Sequence, residues 1–141
     1  REILIPIIKR CNIFMPNVDE LKFLFPNQAV DDIAKKLFNE SQIQIIVIKK
    51  GASGAECYTK TEKFSVKAFL LKNIASSMGA GDSFNAGFLA GILDDHSVEK
   101  CLKIGAAMGT FATMGFDSYQ MLPSRKELNN FLTGDNRKII R

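Results

Sequence analysis

The chain has 141 residues, 46% of them hydrophobic and 24% charged, enough apolar material for one compact core and too much for a disordered or low-complexity protein. Its formal net charge of +4 is scattered with no series of base-stacking aromatics beside it, which sets aside a nucleic-acid binder in favour of a solvated surface or a site for polyphosphate anions. Cys11, Cys57 and Cys101 lack CxxC spacing, against a disulfide framework or zinc site; with no apolar run near the roughly 20 residues that span a bilayer and no signal-peptide layout, a cytoplasmic protein that needs no membrane is expected.

Along the chain, Ile3, Leu4, Ile7 and Ile8 have helical spacing, and Pro6 limits Glu2 to Arg10 to a short or interrupted helix. Cys11 to Met15 reads as a buried strand halted by Pro16, with Asn17 starting a loop or a helix cap. Val18 to Phe25 and Ala29 to Glu40 are helical, the second with Val30, Ile33, Ala34 and Leu37 on one side. Ile43 to Lys49 is β-branched and almost wholly apolar, as in a central parallel strand covered on both faces, and Gly51-Ala52-Ser53-Gly54 closes it. Ala55 to Thr59 and Phe64 to Phe69 read as further strands. From Gly79 a glycine-rich turn enters a long helix, about Asp82 to Leu93, in which Gly87 and Gly91 predict a close packing partner, since each costs roughly 1 kcal/mol against alanine. Ser97 caps a helix to about Thr113, Ser124 caps Arg125 to Leu132, and Arg137, Lys138 and Arg141 form a solvated basic end. This order is α/β: a mainly parallel sheet flanked by helices, with the site at the C-terminal ends of the strands. There is no internal repeat.

The segment richest in chemistry is Ser76-Ser77-Met78-Gly79-Ala80-Gly81-Asp82-Ser83-Phe84-Asn85-Ala86-Gly87-Phe88. Gly79, Ala80 and Gly81 leave backbone N–H groups uncovered where a helix begins, an anion hole at the positive end of the helix dipole. Asp82 stands at the same place, ionised and able to take a proton from a hydroxyl while the amides hold a phosphoryl group. The plainer alternative is a tight turn with Asp82 as an ordinary helix cap. No Walker A sequence is present, so the phosphate site is not a P-loop.

With its extension to Gly91, this segment resembles the C-terminal signature of the PfkB/ribokinase family of sugar and nucleoside kinases almost letter for letter. The resemblance implies that Asp82 is the catalytic base and that Gly79, Ala80 and Gly81 form the anion hole of an ATP-dependent kinase. Pro16-Asn17-Val18-Asp19-Glu20 is similar to the family's N-x-x-E motif, which would assign Asn17 and Glu20 to Mg2+ and the ATP phosphates, mainly through ordered water; by spacing alone the favoured reading is a capping box, with Asn17 as the cap and Glu20 at its third helical position. Ile45 to Lys49 with Gly51, Ala52 and Gly54 resembles the strand and turn that run under the nucleotide in relatives, with Lys49 toward the phosphates; an exposed lysine pair at a strand end is the alternative. Gly105 to Gly109, including Ala106, lies where the adenine wall is expected, although small residues also serve helix packing.

Two departures accompany these matches. Ser76 stands where relatives carry aspartate, so the carboxylate that helps build a monovalent-cation site is missing, and Ala106 replaces a common asparagine. The resemblance runs from about Cys11 to Leu132 but covers only the C-terminal half of an ordinary member, so residues 1–141 are expected to be the C-terminal catalytic and nucleotide-binding part of a ribokinase-like domain. Most acceptor-recognising residues and the surface for a homodimer belong to the other half, and the fragment alone is expected to be inactive or unable to cover its sheet edge. The reading is ATP-dependent phosphorylation of a hydroxyl on a sugar or nucleoside, with Mg2+; the alternative is a nucleotide-binding or regulatory remnant without catalysis.

Overall fold

The structure is a computed structural model, and it describes residues 1–69, 71, 73–116 and 120–134. The basic end at Arg137, Lys138 and Arg141 lies outside the described residues. Two compact units divide the chain: Arg1–Gly51 with Ala55–Ser65, and Ala52–Gly54 with the residues from Val66 onward.

The first unit opens with α1 (Leu4–Ile8), a single short turn with Pro6 inside it, followed by β1 (Ile13–Phe14). β1 is shorter than the predicted strand. Pro16 has no N–H to give a ladder, yet its carbonyl still accepts from Lys49 N–H at 3.0 Å, and an isolated parallel bridge joins Asn17 to Lys49. α2 (Val18–Leu24) and α3 (Val30–Glu40) carry the chain to β2 (Ile45–Lys49), and this long crossover is what allows β1 and β2 to pair in parallel, Ile13 with Ile45 and Phe14 with Ile46. A short turn, Gly51–Ser53, then leads to β3 (Ala55–Tyr58). So short a connection permits only a hairpin, and β2 and β3 pair antiparallel, with Val47 opposite Cys57 and Lys49 opposite Ala55. The sheet, in the order β1-β2-β3-β4 with β4 at Lys63–Val66, is therefore mixed over the described residues, where a mainly parallel one was expected.

Alternation along β2 and β3 decides the core. Ile46, Ile48 and Tyr58 face Leu21, Leu24 and Phe25 of the α2 segment and Ile33, Ala34 and Leu37 of α3. Val47 and Cys57, on the opposite face, are fully buried as well, so β2 has the two-sided burial its apolar run predicted.

In the second unit α4 (Ala80–Leu93) packs along α5 (Val98–Ala112). The partner required by the helix glycines is α5: a Cβ on Gly91 would meet Cys101, and one on Gly87 would meet Met108 and the Ile104 carbonyl. Gly105 faces Phe84 and Gly109 faces Ala80, so numbering rises along one helix as it falls along the other and the pair is antiparallel. α6 (Arg125–Thr133) closes the unit through Phe131, which meets Phe111 and Phe69 edge to face at centroid distances of 5.0 and 4.8 Å. No helix among the described residues is long and apolar enough to cross a membrane.

Candidate active site

The turn before α4 is shaped by short-range hydrogen bonds. Ser76 Oγ accepts from Met78 N–H at 3.1 Å, the local turn contact that a short polar side chain makes. Gly79 then adopts φ 75° and ψ −4°, a left-handed conformation that costs other residues roughly 1–2 kcal/mol. With the chain reversed in this way, Ala80 N–H donates to Ser77 O at 3.3 Å and Ser83 N–H makes the first helical bond to Gly79 O at 2.9 Å. No side chain caps α4. Among the described residues the N–H groups of Gly79, Gly81 and Asp82 have no acceptor, and Gly81 and Asp82 are exposed.

This geometry changes which amides are available. The sequence pointed to Gly79, Ala80 and Gly81, but α4 starts at Ala80 rather than Asp82, so the Ala80 amide is turned back onto Ser77 and the Asp82 amide is left open. The three open donors sit at the positive end of a 14-residue helix, where an anion gains from both the N–H groups and the dipole. The Asp82 carboxylate is exposed there without a hydrogen-bond or ion-pair partner among the described residues. Sequence reading missed the open Asp82 amide and the engaged Ala80 amide because both depend on where the helix begins.

The other predicted residues of this unit take packing positions. A Cβ on Gly54 (φ +93°) would lie 1.9 Å from Val66 O and 2.9 Å from Ala68 N, so Gly54 is needed for its own backbone contact. Ala52 is exposed. Ala106 is buried and its carbonyl accepts from Thr110 Oγ at 2.9 Å. Gly109 lies against the Ala80 carbonyl, a hypothetical Cβ falling 3.2 Å from that oxygen.

In the first unit, Asn17 and Glu20 make a reciprocal capping box on α2. Asn17 Oδ1 accepts from Glu20 N–H, and a Glu20 carboxylate oxygen accepts from Asn17 N–H, both at 2.8 Å. The bridge to Lys49 brings that box beside the end of β2. Gly51 (φ +56°) follows, and a Cβ there would meet nothing within 4 Å. Lys50 turns to β3, its Nζ 2.7 Å from Glu56 Oε1. Burial of Glu56 is outweighed by the hydrogen bonds from Lys50 and Tyr58, so its carboxyl is held below the usual range. Burial pushes the Tyr58 hydroxyl up to about 12; Lys63, 4.6 Å above the ring, opposes the rise and the neighbouring Glu56 carboxylate adds to it.

The described residues contain no group of three or more His, Cys, Asp or Glu side chains that could hold a metal ion.

Comparison with known proteins follows the same residues. The pattern of the pfkB family carbohydrate kinases matches residues 6–125. A 5-dehydro-2-deoxygluconokinase of Geobacillus kaustophilus is 30% identical over 128 residues, which is 88% of this chain and 38% of that protein. The crystal structure of the Methanocaldococcus jannaschii nucleoside kinase, an archaeal member of the ribokinase family, superposes with a TM-score of 0.80 at 28% identity, over 93% of this chain and 42% of that one. A ribokinase II candidate from E. coli, solved with ATP and Mg2+, gives a TM-score of 0.86 at 22% identity, over 94% and 42%, and so supports the fold alone. The chain thus spans about two fifths of the length of these relatives. With a family pattern over most of its length and a ribokinase-like α/β fold beneath it, the chain belongs to the pfkB family of carbohydrate kinases.

Proposed function

We propose that this chain supplies the phosphoryl-transfer part of an ATP-dependent kinase acting on a hydroxyl of a sugar or nucleoside. The observation that carries the reading is the start of α4: three open amides and an unpartnered carboxylate, presented together by a left-handed glycine within a sequence of kinase relatives.

Phosphoryl transfer spreads negative charge over the oxygens of the moving group and asks the protein chiefly for positioning and fixed positive dipoles. The amides of Gly79, Gly81 and Asp82 are such dipoles, fixed before the reaction by the turn, so they need not reorganise as charge builds. The Asp82 carboxylate accepts the acceptor hydroxyl's proton as its oxygen bonds to phosphorus and the bond from phosphorus to the leaving ADP oxygen breaks. Asn17 and Glu20 would hold Mg2+ through its water shell, and Lys49 would pair with phosphate at the end of β2. Magnesium bound to ATP supplies charge screening. Gly51 offers open backbone to a nucleotide, whereas Gly54, Ala106 and Gly109 are occupied in packing. Ser76 carries no carboxylate toward a monovalent cation, and a kinase of this kind is expected to show little dependence on K+. The acceptor is a small molecule, and partners beyond a second copy are not required.

Asp82→Asn in the complete protein tests the reading. Turnover should fall by about 10²–10⁴ while calorimetric titration still registers Mg·ATP binding. Turnover equal to that of the unsubstituted protein would remove Asp82 as the base. A protein that binds Mg·ATP but shows no turnover before substitution would instead be a nucleotide-binding remnant.

A further inference from the structure

Four glycines line the contact of α4 with α5, and each meets a different kind of neighbour. At Gly91 and Gly87 an added Cβ would press first on side chains, Cys101 Sγ at 2.9 Å and Met108 Cγ at 2.6 Å. Gly105 faces the Phe84 carbonyl at 3.0 Å and its ring at 3.1 Å. Only at Gly109, among these four, is the nearest atom part of the first residue of α4: the Ala80 carbonyl oxygen at 3.2 Å, with Phe84 Cβ next at 3.5 Å.

The Ala80 carbonyl and the Gly81 N–H belong to one planar peptide unit, so they tilt together. Gly81 N–H is one of the open amides of the turn. We infer that Gly109 is a positioning residue for that turn: its missing side chain lets α5 approach while the Ala80–Gly81 peptide plane stays aligned with the helix axis and its N–H stays directed at the anion. A methyl group at 109 would require the Ala80 carbonyl to give by a few tenths of an ångström, and a donor aimed at a transition state loses efficiency on shifts smaller than an ångström. The catalytic consequence rests on the kinase reading above; the coupling of residue 109 to the Gly81 amide does not.

The test compares Gly109→Ala with Gly91→Ala in the complete protein. Both crowd the same helix pair, but only the first loads the opening peptide of α4. In 15N-resolved NMR spectra the Gly81 amide resonance should move in Gly109→Ala and stay in place in Gly91→Ala. In steady-state assays Gly109→Ala should lower kcat about three- to tenfold with the KM of the acceptor unchanged, and Gly91→Ala should keep kcat within twofold. An unmoved Gly81 amide, an unchanged kcat in Gly109→Ala, an equal loss in Gly91→Ala, or a Gly109→Ala protein that does not fold where Gly91→Ala folds would each overturn the inference. Absence of turnover in the unsubstituted protein counts against the kinase reading instead, and the NMR comparison then decides the positioning alone.

Discussion

The helices α2 and α4 begin in opposite ways, although a helix start poses the same problem each time: N–H groups without intrahelical partners. At α2 the extended Asn17 folds its side chain over the Glu20 amide, and Glu20 reaches back to the Asn17 amide. At α4 the left-handed Gly79 has no side chain to offer, and the donors remain open. α5 and α6 follow the first pattern, capped by Ser97 and by Ser124 with Glu127. α3 also lacks a side-chain cap, but on an extended Ala29. A closed start serves the fold, and an open one is available for binding at some cost in stability. Two amides satisfied by side chains are two amides that a phosphate cannot use.

Closing the open start should have the largest effect. Gly79→Asp places a carboxylate where the phosphate is proposed to sit, and aspartate tolerates the left-handed region better than most residues. Repulsion of the anion and occupation of the amides together should lower turnover by about 10² or more, with the circular dichroism spectrum of the fold retained. Steady-state assay of the variant decides: turnover near that of the unsubstituted protein would mean that the donors of α4 do not hold the transferring group, and the contrast with α2 would lose its functional meaning.

Opening the closed start should have a smaller effect, chiefly on stability. Asn17→Ala removes one arm of the capping box and should cost about 1 kcal/mol in denaturant unfolding, whereas Asn17→Ser keeps a cap of similar strength and should cost only a few tenths. Mg·ATP titration of the same pair sharpens the comparison. If Asn17 also supports magnesium through water, affinity falls in both variants; if it serves only the fold, the serine variant binds as the unsubstituted protein does.

How much of this was legible in the sequence depended on the distance over which each feature is determined. Asn17, Ser97 and Ser124 announced their helices because a cap is decided within three or four residues, and the β-branched, almost wholly apolar run from Ile43 to Lys49 announced a strand buried on both faces. The glycine turn and Asp82 were legible for the same local reason. The start of α4 lies earlier in the structure than in the sequence reading: Ala80 and Gly81 carry no cap signal, and the left-handed turn at Gly79 that leads into them is not legible as a helix start. The hairpin after β2 was hidden by the apolar run, which reads alike in parallel and antiparallel strands until the shortness of the Gly51–Ser53 connection is weighed. Gly54 and Gly109 were read toward the nucleotide because a glycine shows in sequence only that space is needed, not what fills it. In the structure it is the backbone of residues 66–68 and of Ala80.

The smallest effect is expected at α6, where the closed pattern can be titrated. Hydrogen bonds from the Ser124 hydroxyl and N–H hold the Glu127 carboxyl below its usual value of 4.5. A carboxylate whose pKa is depressed in the folded state contributes stability above its unfolded pKa and loses it as pH falls through the folded value, so the loss belongs to the acid side of about 4.5. Because Glu127 is solvent-exposed, the cap should loosen there without global unfolding, and the amide resonances of the first turn of α6 should shift before those around Phe131 at its core contact. Glu127→Gln retains much of the box but has no proton to gain, so its first-turn resonances should stay flat over the same range. Matching acid profiles for the two proteins would show that the Ser124–Glu127 bonds add nothing to the fold, and the account of closed helix starts would then rest on α2 and α5.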